Sequence, residues 1–463
     1  MRKVQGNTEG FPIAQESERE KRYTGGNAMK LNTKRTCLVG LAFLSISAFW
    51  GLYDFVIPLV LKNTYGLGDT WAGVVMAMDN VLALFLLPFF GALSDKVRSP
   101  LGRRMPFIMG GTMAAVTLML ALALVIRVGT LGMFPACLAL LLLAMGTYRS
   151  PAVALMPDVT PKPLRSKGNA VINLMGAVGG MAALLLVNVA VVRVTQPDGS
   201  VVSDYTWLFI SVAALMLACV LVLWRTVKEN ACVAEMEAMG YGADPAEETV
   251  QSTDAQGKSK LHPAVLRSLI LILCSVFFWF MGYNAVTSAF SKYATTVWGV
   301  GESAAANCLL VATAGAIVSY WPVGILSSKI GRKKMILCGV VLLALCFGIC
   351  GLVTALTPLL YVGFALVGLA WAAINVNSFP MVVELARGAD TGKYTGYYYT
   401  FSMAAQTLTP ILSGYLLEHW GYHTLFPYAA GMVALSFLTM CLVRHGDSKP
   451  VAQKGLEALD VAD

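Results

Sequence analysis

Long apolar runs recur along the chain, each separated from the next by a short polar or basic interval. A helix needs about 20 apolar residues to cross the hydrocarbon of a bilayer. By that measure the pattern predicts twelve spans: 37–61, 71–93, 106–127, 134–156, 168–192, 205–225, 263–291, 302–327, 335–355, 358–382, 395–417 and 424–444. Backbone polar groups in lipid must be satisfied within the chain, so helices are the economical reading. The predicted fold is an all-α membrane protein with twelve transmembrane helices in two six-helix pseudo-repeats.

The intervals divide the chain further. Residues 1–36 read as a polar tail, 37–225 as a first six-helix bundle, 226–262 as a linker, 263–445 as a second bundle, and 446–463 as a second tail. The linker is rich in Ala, Glu, Gly, Ser and Asp and lacks apolar periodicity, which predicts a flexible segment. The two bundles share a feature. GALSDKVRSPLGRR, Gly91 to Arg104, follows the second span; GILSSKIGRKK, Gly324 to Lys334, follows the eighth. The copies are unequal, because Gly102 comes eleven residues after Gly91 and Gly331 only seven after Gly324, with Ser328 near the place of Asp95. A small-residue turn with a basic cluster, once per half, points to a duplicated carrier. Gly110, Gly111, Gly176, Gly179 and Gly180 add small-residue faces that let membrane helices approach closely.

Composition agrees. The chain is 57% hydrophobic and 13% charged, against about 25% charged in soluble domains; its mean hydropathy is +0.67. The net charge of +8 does not indicate nucleic-acid binding, because the bases abut membrane spans. Of the 34 lysines and arginines, only Lys62, Arg127, Arg193 and Lys292 fall on one side and Arg149 within a span; all others fall on the side of the termini. The excess of basic residues on cytoplasmic loops then places both termini in the cytoplasm, at the plasma membrane. The ten cysteines make no CxxC pair or Cys/His cluster, so free buried thiols are expected. The first 30 residues lack the apolar core of a signal peptide, and Met29 is a possible alternative start. The four histidines make no HExxH, and neither a GxSxG elbow nor a P-loop is present. The sequence therefore points away from an enzyme and from ATP-driven transport. It calls for no metal or cofactor, and an ion gradient, protons for preference, is the expected driving force.

Ionisable residues inside a membrane are costly and mark functional sites. Asp54 lies in the outer half of the first span, Asp79 near the middle of the second and Arg149 in the inner half of the fourth. Asp79 and Asp54 are the candidate proton-coupling acids, and Arg149 a substrate-binding and pairing group. A static ion pair holding helices in register is the competing reading. Tyr53, Asn80 and Asn173 are polar neighbours, with Tyr148 and Ser150 beside Arg149. The second half offers neutral and aromatic groups instead: Tyr283, Asn284, Trp371, Asn375, Asn377, Tyr397, Tyr398, Tyr399 and Gln406. Aromatic faces with amide and hydroxyl groups suit a neutral polyhydroxylated ligand such as a sugar, although many such residues serve helix packing. Glu384 and Arg387 fall at a helix end. The expected partners are a small-molecule substrate and the lipid bilayer, with the chain acting as a monomer.

The twelve-span plan with GALSDKVRSPLGRR resembles the major facilitator superfamily. Within it, SDKVRSPLGRRMPFI is similar to the loop of the sucrose-transporter-like carriers. YRSPAVALMPDVTP, residues 148–161, is similar to the fourth-span signature of the related glycoside–pentoside–hexuronide:cation symporters. The resemblance covers about 37–445. It implies a gating role for Gly91, Asp95, Gly102, Arg103 and Arg104 and, in the second copy, for Gly331 and Arg332. Arg149 falls where relatives often carry a sugar-contacting Asp or Asn. Sodium-coupled relatives carry paired acids on the second span, one just before a proline; here Leu87 precedes Pro88 and Asp79 stands alone upstream, which favours protons. Val153 stands where plant sucrose carriers place an arginine. The function expected is proton-coupled symport of a sugar or small glycoside by alternating access. Export of a drug or metabolite, and a nontransporting membrane sensor or scaffold, are the alternatives.

Overall fold

In the computed structural model, residues 31–129, 131–161, 165–195, 201–238, 263–383, 385 and 391–446 are described. Six long helices make the first half: α1 (Thr33–Asn63), α2 (Asp69–Lys96), α3 (Met105–Val128), α4 (Phe134–Asp158), α5 (Arg165–Ala190) and α6 (Thr206–Thr226). A two-stranded antiparallel hairpin, β1 (Val192–Thr195) and β2 (Val201–Asp204), lies between α5 and α6, with Val192 opposite Asp204. A short helix α7 (Glu229–Ala238) follows. The second half comprises α8 (Pro263–Thr296), α9 (Glu302–Ile330), α10 (Arg332–Leu352), α11 (Pro358–Val383), α12 (Thr391–Trp420) and α13 (Leu425–Cys441). All of them belong to one compact unit.

Each expected span is a helix here, and most of the helices run a few residues past the apolar run into the loops. Eleven are long and apolar enough to cross a membrane. The twelfth, α12, is 30 residues long but is diluted by Lys393, Gln406 and several tyrosines and threonines. It packs along α2 and α8, so neighbouring helices shield part of its polar surface. The helical fold and the apolar helices make this an integral membrane protein.

The duplication is visible in the packing. In the first half α1 packs on α5 and α6, α2 on α4, and α3 on α4 and α6. In the second, α8 packs on α12 and α13, α9 on α11, and α10 on α11 and α13. Adding seven to each label carries one set onto the other. The halves meet through α2 with α12, α5 with α9 and α1 with α8, and one apolar core runs through both. Small residues make the close approaches possible. A Cβ on Gly179 of α5 would strike the backbone of Leu44 on α1. One on Gly73 of α2 would strike Pro410 on α12, and one on Gly414 would strike Asp69. With little hydrophobic drive between helices in lipid, such contacts supply the packing energy.

One expectation needs correction. Within the 226–262 linker, expected to be flexible, Glu229–Ala238 is helical. Arg35 at the start of α1 bonds Glu235 on it at 2.6 Å, and Glu229 is 1% exposed. Tertiary partners hold it, together with Cys232 and Met236, which are buried four residues apart on one face. Residues 239–262 of the linker, most of both tails, Glu384 and Arg387 lie outside the described residues. All ten cysteines are free. Cys219, Cys232, Cys308, Cys346 and Cys350 are buried, whereas Cys338 and Cys441 are exposed on the surface of their helices.

Candidate functional site

The 97–104 loop, α7 and Arg444 lie on one face of the bundle, the basic face; the hairpin lies on the opposite face. Between them, at the meeting of the halves, is a cavity of about 150 Å³. The first half contributes Trp50 and Asp54 from α1, Met76, Asp79 and Asn80 from α2, and Arg149 from α4. The second contributes Asn284, Thr287 and Ser288 from α8, and Gln406 and Pro410 from α12. Three charged side chains on three helices therefore share one small polar space. Asn80 donates its side-chain amide to Asp79 Oδ1 at 2.9 Å, which fixes that carboxylate. The guanidinium carbon of Arg149 lies 5.3 Å from the Trp50 ring centre, within reach of a cation–π contact. At about 30 Å³ per water, the space holds roughly five. It is smaller than the ~300–1,000 Å³ that surrounds a drug-sized ligand.

Of the residues singled out from sequence, Asp54, Asp79, Asn80, Arg149, Asn284 and Gln406 come together here. The others lie elsewhere. Tyr53 is 1% exposed and donates to the Val75 carbonyl at 3.4 Å; one residue along the helix, it turns away from the face that bears Asp54. Tyr283 stacks flat on Trp371, centres 3.6 Å apart, so each ring covers the other. Tyr398 shares a 3.0 Å hydrogen bond with Ser378, and the Asn375 carbonyl accepts from Ser378 at 3.3 Å. The Asn173 amide nitrogen is buried on α5 without a hydrogen-bond partner. Trp50, Thr287 and Ser288 were missed. The signal was helical spacing: Trp50 lies four residues before Asp54, and Thr287 and Ser288 three and four after Asn284, so each pair shares a face.

On the basic face the predicted loop is a closed network. Arg103 donates to both oxygens of Asp158, at the end of α4, at 2.6 and 3.1 Å. Arg104, 5% exposed, donates to Asp158 at 2.9 Å and pairs with Asp95 and Ser94. Burial opposes the charge on Arg103, but Asp158, with Asp95 and Glu229 beyond, holds its proton more tightly than usual. Gly102 has φ +114°, which side chains rarely adopt. Behind it, Glu229 of α7 accepts the backbone N–H groups of Arg103, Arg104 and Met105 at 2.9–3.1 Å. Those are the unpaired donors at the start of α3, where a carboxylate is favoured by unmet hydrogen bonds and by the helix dipole. A Cβ on Gly91 of α2 would meet Ser150 of α4, so that glycine serves close packing. The second copy repeats the local plan. Ser94 Oγ donates to the Gly91 carbonyl at 2.8 Å, and Ser327 Oγ to that of Gly324 at 3.0 Å. Gly331 also has positive φ, +96°, and leads into Arg332, the first residue of α10. There Lys333 caps the end of α13 through the Cys441 and Val443 carbonyls, at 3.0 and 2.6 Å. Asp158 and Glu229 were not singled out from sequence. Asp158 stood within the quoted PDVT stretch, whereas nothing local marked Glu229.

The opposite face holds polar bonds between the halves that sequence reasoning did not find. Lys292 of α8 and Asp69 of α2 pair at 2.6 Å, with side chains 5% and 9% exposed. Tyr422 donates to the other Asp69 oxygen at 2.6 Å. Lys62 of α1 bonds Thr296 and Tyr422, each at 2.8 Å. Glu418 accepts the Thr70 backbone N–H at 2.8 Å, Asn188 bonds Asn307 at 2.9 Å, and hairpin residue Ser203 bonds Glu302 at 2.5 Å. At the other end of α2, Phe85 and Phe89 are 67% and 60% exposed. The halves are thus bolted together at the opposite face.

The family pattern described as Major Facilitator Superfamily matches residues 39–321 and 272–461. The chain is similar to the nucleoside transporter NupG, with TM-score 0.65 and 15% identity, over 89% of this chain and 100% of that one. It is similar to a bacterial homologue of the iron transporter ferroportin, with TM-score 0.62 and 12% identity, over 89% and 99%. At that identity the likeness is one of fold. Among curated proteins, a chloramphenicol resistance protein of Acinetobacter baumannii is 27% identical over 144 residues, 31% of this chain and 35% of that protein. The alignment therefore spans about a third of that relative.

Proposed function

The chain belongs to the Major Facilitator Superfamily, and from that premise we propose that this transporter carries a sugar or small glycoside by proton-coupled symport. Its substrate meets the central cavity, and alternating closure of the two faces moves it across. One observation carries the reading: Asp54, Asp79 and Arg149 face Asn284, Thr287, Ser288 and Gln406 across the boundary between the halves. A group that titrates in such a place feels any rocking of one half on the other. Two carboxylates and one guanidinium leave one negative charge uncompensated, which a proton removes. The amides and hydroxyls are neutral hydrogen-bonding groups suited to a polyhydroxylated ligand. The self-stacked Tyr283 and Trp371 do not offer a ring to it in this state, so the sugar reading rests on the amides. The ion gradient supplies the driving force, and the cavity lies within one chain, consistent with a monomer.

The basic face is taken as cytoplasmic, at the plasma membrane, because Lys and Arg concentrate there. The bolted opposite face then makes this state closed to the outside. Kinship with the sucrose-transporter-like carriers and the glycoside–pentoside–hexuronide:cation symporters rests on SDKVRSPLGRRMPFI and YRSPAVALMPDVTP. Gating falls to Gly91, Asp95, Gly102, Arg103 and Arg104, with Gly331 and Arg332 in the second copy. We divide the chain into bundles at 37–225 and 263–445, a reading supported by the repeated packing of the helices.

Export is the second reading, favoured by the similarity to a chloramphenicol resistance protein. A thermal-shift screen of the purified chain separates the two. Saturating a site at a hundred times Kd stabilises by about 2.7 kcal/mol, which is measurable. Mono- or disaccharides should raise the melting temperature, and Asn284→Ala with Gln406→Ala should remove the rise. A rise with chloramphenicol alone would favour export and sink the sugar reading.

A further inference from the structure

A second cavity, of about 400 Å³, opens on the basic face away from the central one. Trp224, Arg225, Val227 and Lys228 form one wall, at the end of α6 and the turn into α7; Leu101 and Met105 form the other. Arg225 and Lys228 are both exposed. The wall's one acid, Glu229, is 1% exposed, and its oxygens accept three backbone N–H groups at the start of α3, those of Arg103, Arg104 and Met105. The accessible charge in the cavity is therefore positive. Beyond it, α6 presents Ala214, Ala218, Leu221, Val222 and Trp224 as an exposed apolar stripe at helical spacing, with Leu221 and Val222 42% and 45% exposed.

We propose that this cavity holds the phosphate headgroup of an anionic phospholipid, whose acyl chains run along the exposed stripe of α6. The arrangement matches such a molecule part by part. Arg225 and Lys228 meet the phosphate, for which a guanidinium's fork and an ammonium are both suited. Trp224 sits where apolar helix gives way to charge, the level at which indoles mark a membrane interface. Basic pockets at helix ends attract anionic headgroups beyond the general surface potential. A soluble phosphate would use the two charges alone, whereas a lipid in the bilayer against α6 brings its headgroup and its chains to the same helix end. The site also adjoins the loop network, since Leu101 and Met105 of its wall flank Gly102, Arg103 and Arg104. Asn230, another wall residue, donates to the Ser99 and Pro100 carbonyls at 3.0 Å. A lipid seated here therefore presses on the same loop that Glu229 and Asp158 hold.

Native mass spectrometry of the full chain tests this, with phosphatidylglycerol and phosphatidylcholine of identical acyl chains supplied in equal amounts. Phosphatidylglycerol should be retained several-fold more. Arg225→Gln with Lys228→Gln should lower that retention about tenfold without changing the melting temperature. Lys34→Gln with Arg267→Gln removes the same charge from exposed sites outside the cavity and should leave retention unchanged. Equal loss in both double variants would reduce the effect to net charge and overturn the proposal, as would equal retention of the two lipids. Displacement of the lipid by glycerol 3-phosphate at matched concentration would show a free-phosphate site and also overturn it.

Discussion

At the scale of single residues, the two acids that bind Arg104 differ in what surrounds them. Asp158 is 13% exposed and holds both Arg103 and Arg104; Asp95 is 52% exposed. Removing one member of a buried ion pair costs about 3–5 kcal/mol, because the other charge is left uncompensated. Exposed pairs contribute about 0–1 kcal/mol. Asp158→Asn should therefore lower thermal stability in detergent far more than Asp95→Asn. If the two variants melt alike, the network does not rest on Asp158. In the cavity, Arg149 is the single cation facing two carboxylates and a Trp50 ring. Arg149→Gln should weaken both substrate binding and coupling, read by counterflow and by gradient-driven uptake. A variant that loses neither removes Arg149 from the site.

At the scale of elements, helix α7 does work that composition hides. Its Glu229 satisfies three donors at the start of α3, its Asn230 two carbonyls of the loop, and its Glu235 an arginine of α1. Glu229→Ala strands buried N–H groups at about 1–3 kcal/mol each and should lower the melting temperature and raise proteolysis within 97–104. Unchanged cleavage there would show that the loop holds itself. The twelve helices were legible because apolar runs of membrane length allow one solution. The two loops at Gly102 and Gly331 were legible as turns because glycines, which here have positive φ, stand beside basic residues in both. Helix α7 was not, because partners distant in sequence hold its polar residues and its buried apolar face is only Cys232 and Met236, too short a pattern to mark a helix. That Tyr53, Tyr283, Trp371 and Tyr398 do not line the central cavity was not legible, because sequence gives a polar aromatic's depth but not its azimuth. Asp54, Asp79 and Arg149 were found because charge in lipid needs a reason wherever it points.

At the scale of the whole molecule, the closed opposite face rests on buried charge. Lys292→Met leaves Asp69 with only Tyr422 and nearby Lys62, and by the cost of stranding a buried charge shifts the balance of states roughly a hundredfold or more at 1.4 kcal/mol per decade. A cysteine at Ser288, in a chain whose exposed Cys338 and Cys441 are serine, should then be labelled from the opposite face much faster. Exchanging the charges, Asp69→Lys with Lys292→Asp, should restore slow labelling; if it does not, the pair is not the latch. In the proposed mechanism the charged cavity couples proton movement to substrate movement. The most direct measurement is made in vesicles of purified protein, following labelled mono- and disaccharides under an imposed pH gradient and, in the same vesicles, by counterflow without one. The wild type should accumulate substrate, whereas Asp79→Asn should lose accumulation and keep counterflow. Accumulation by Asp79→Asn at the wild-type level would contradict it.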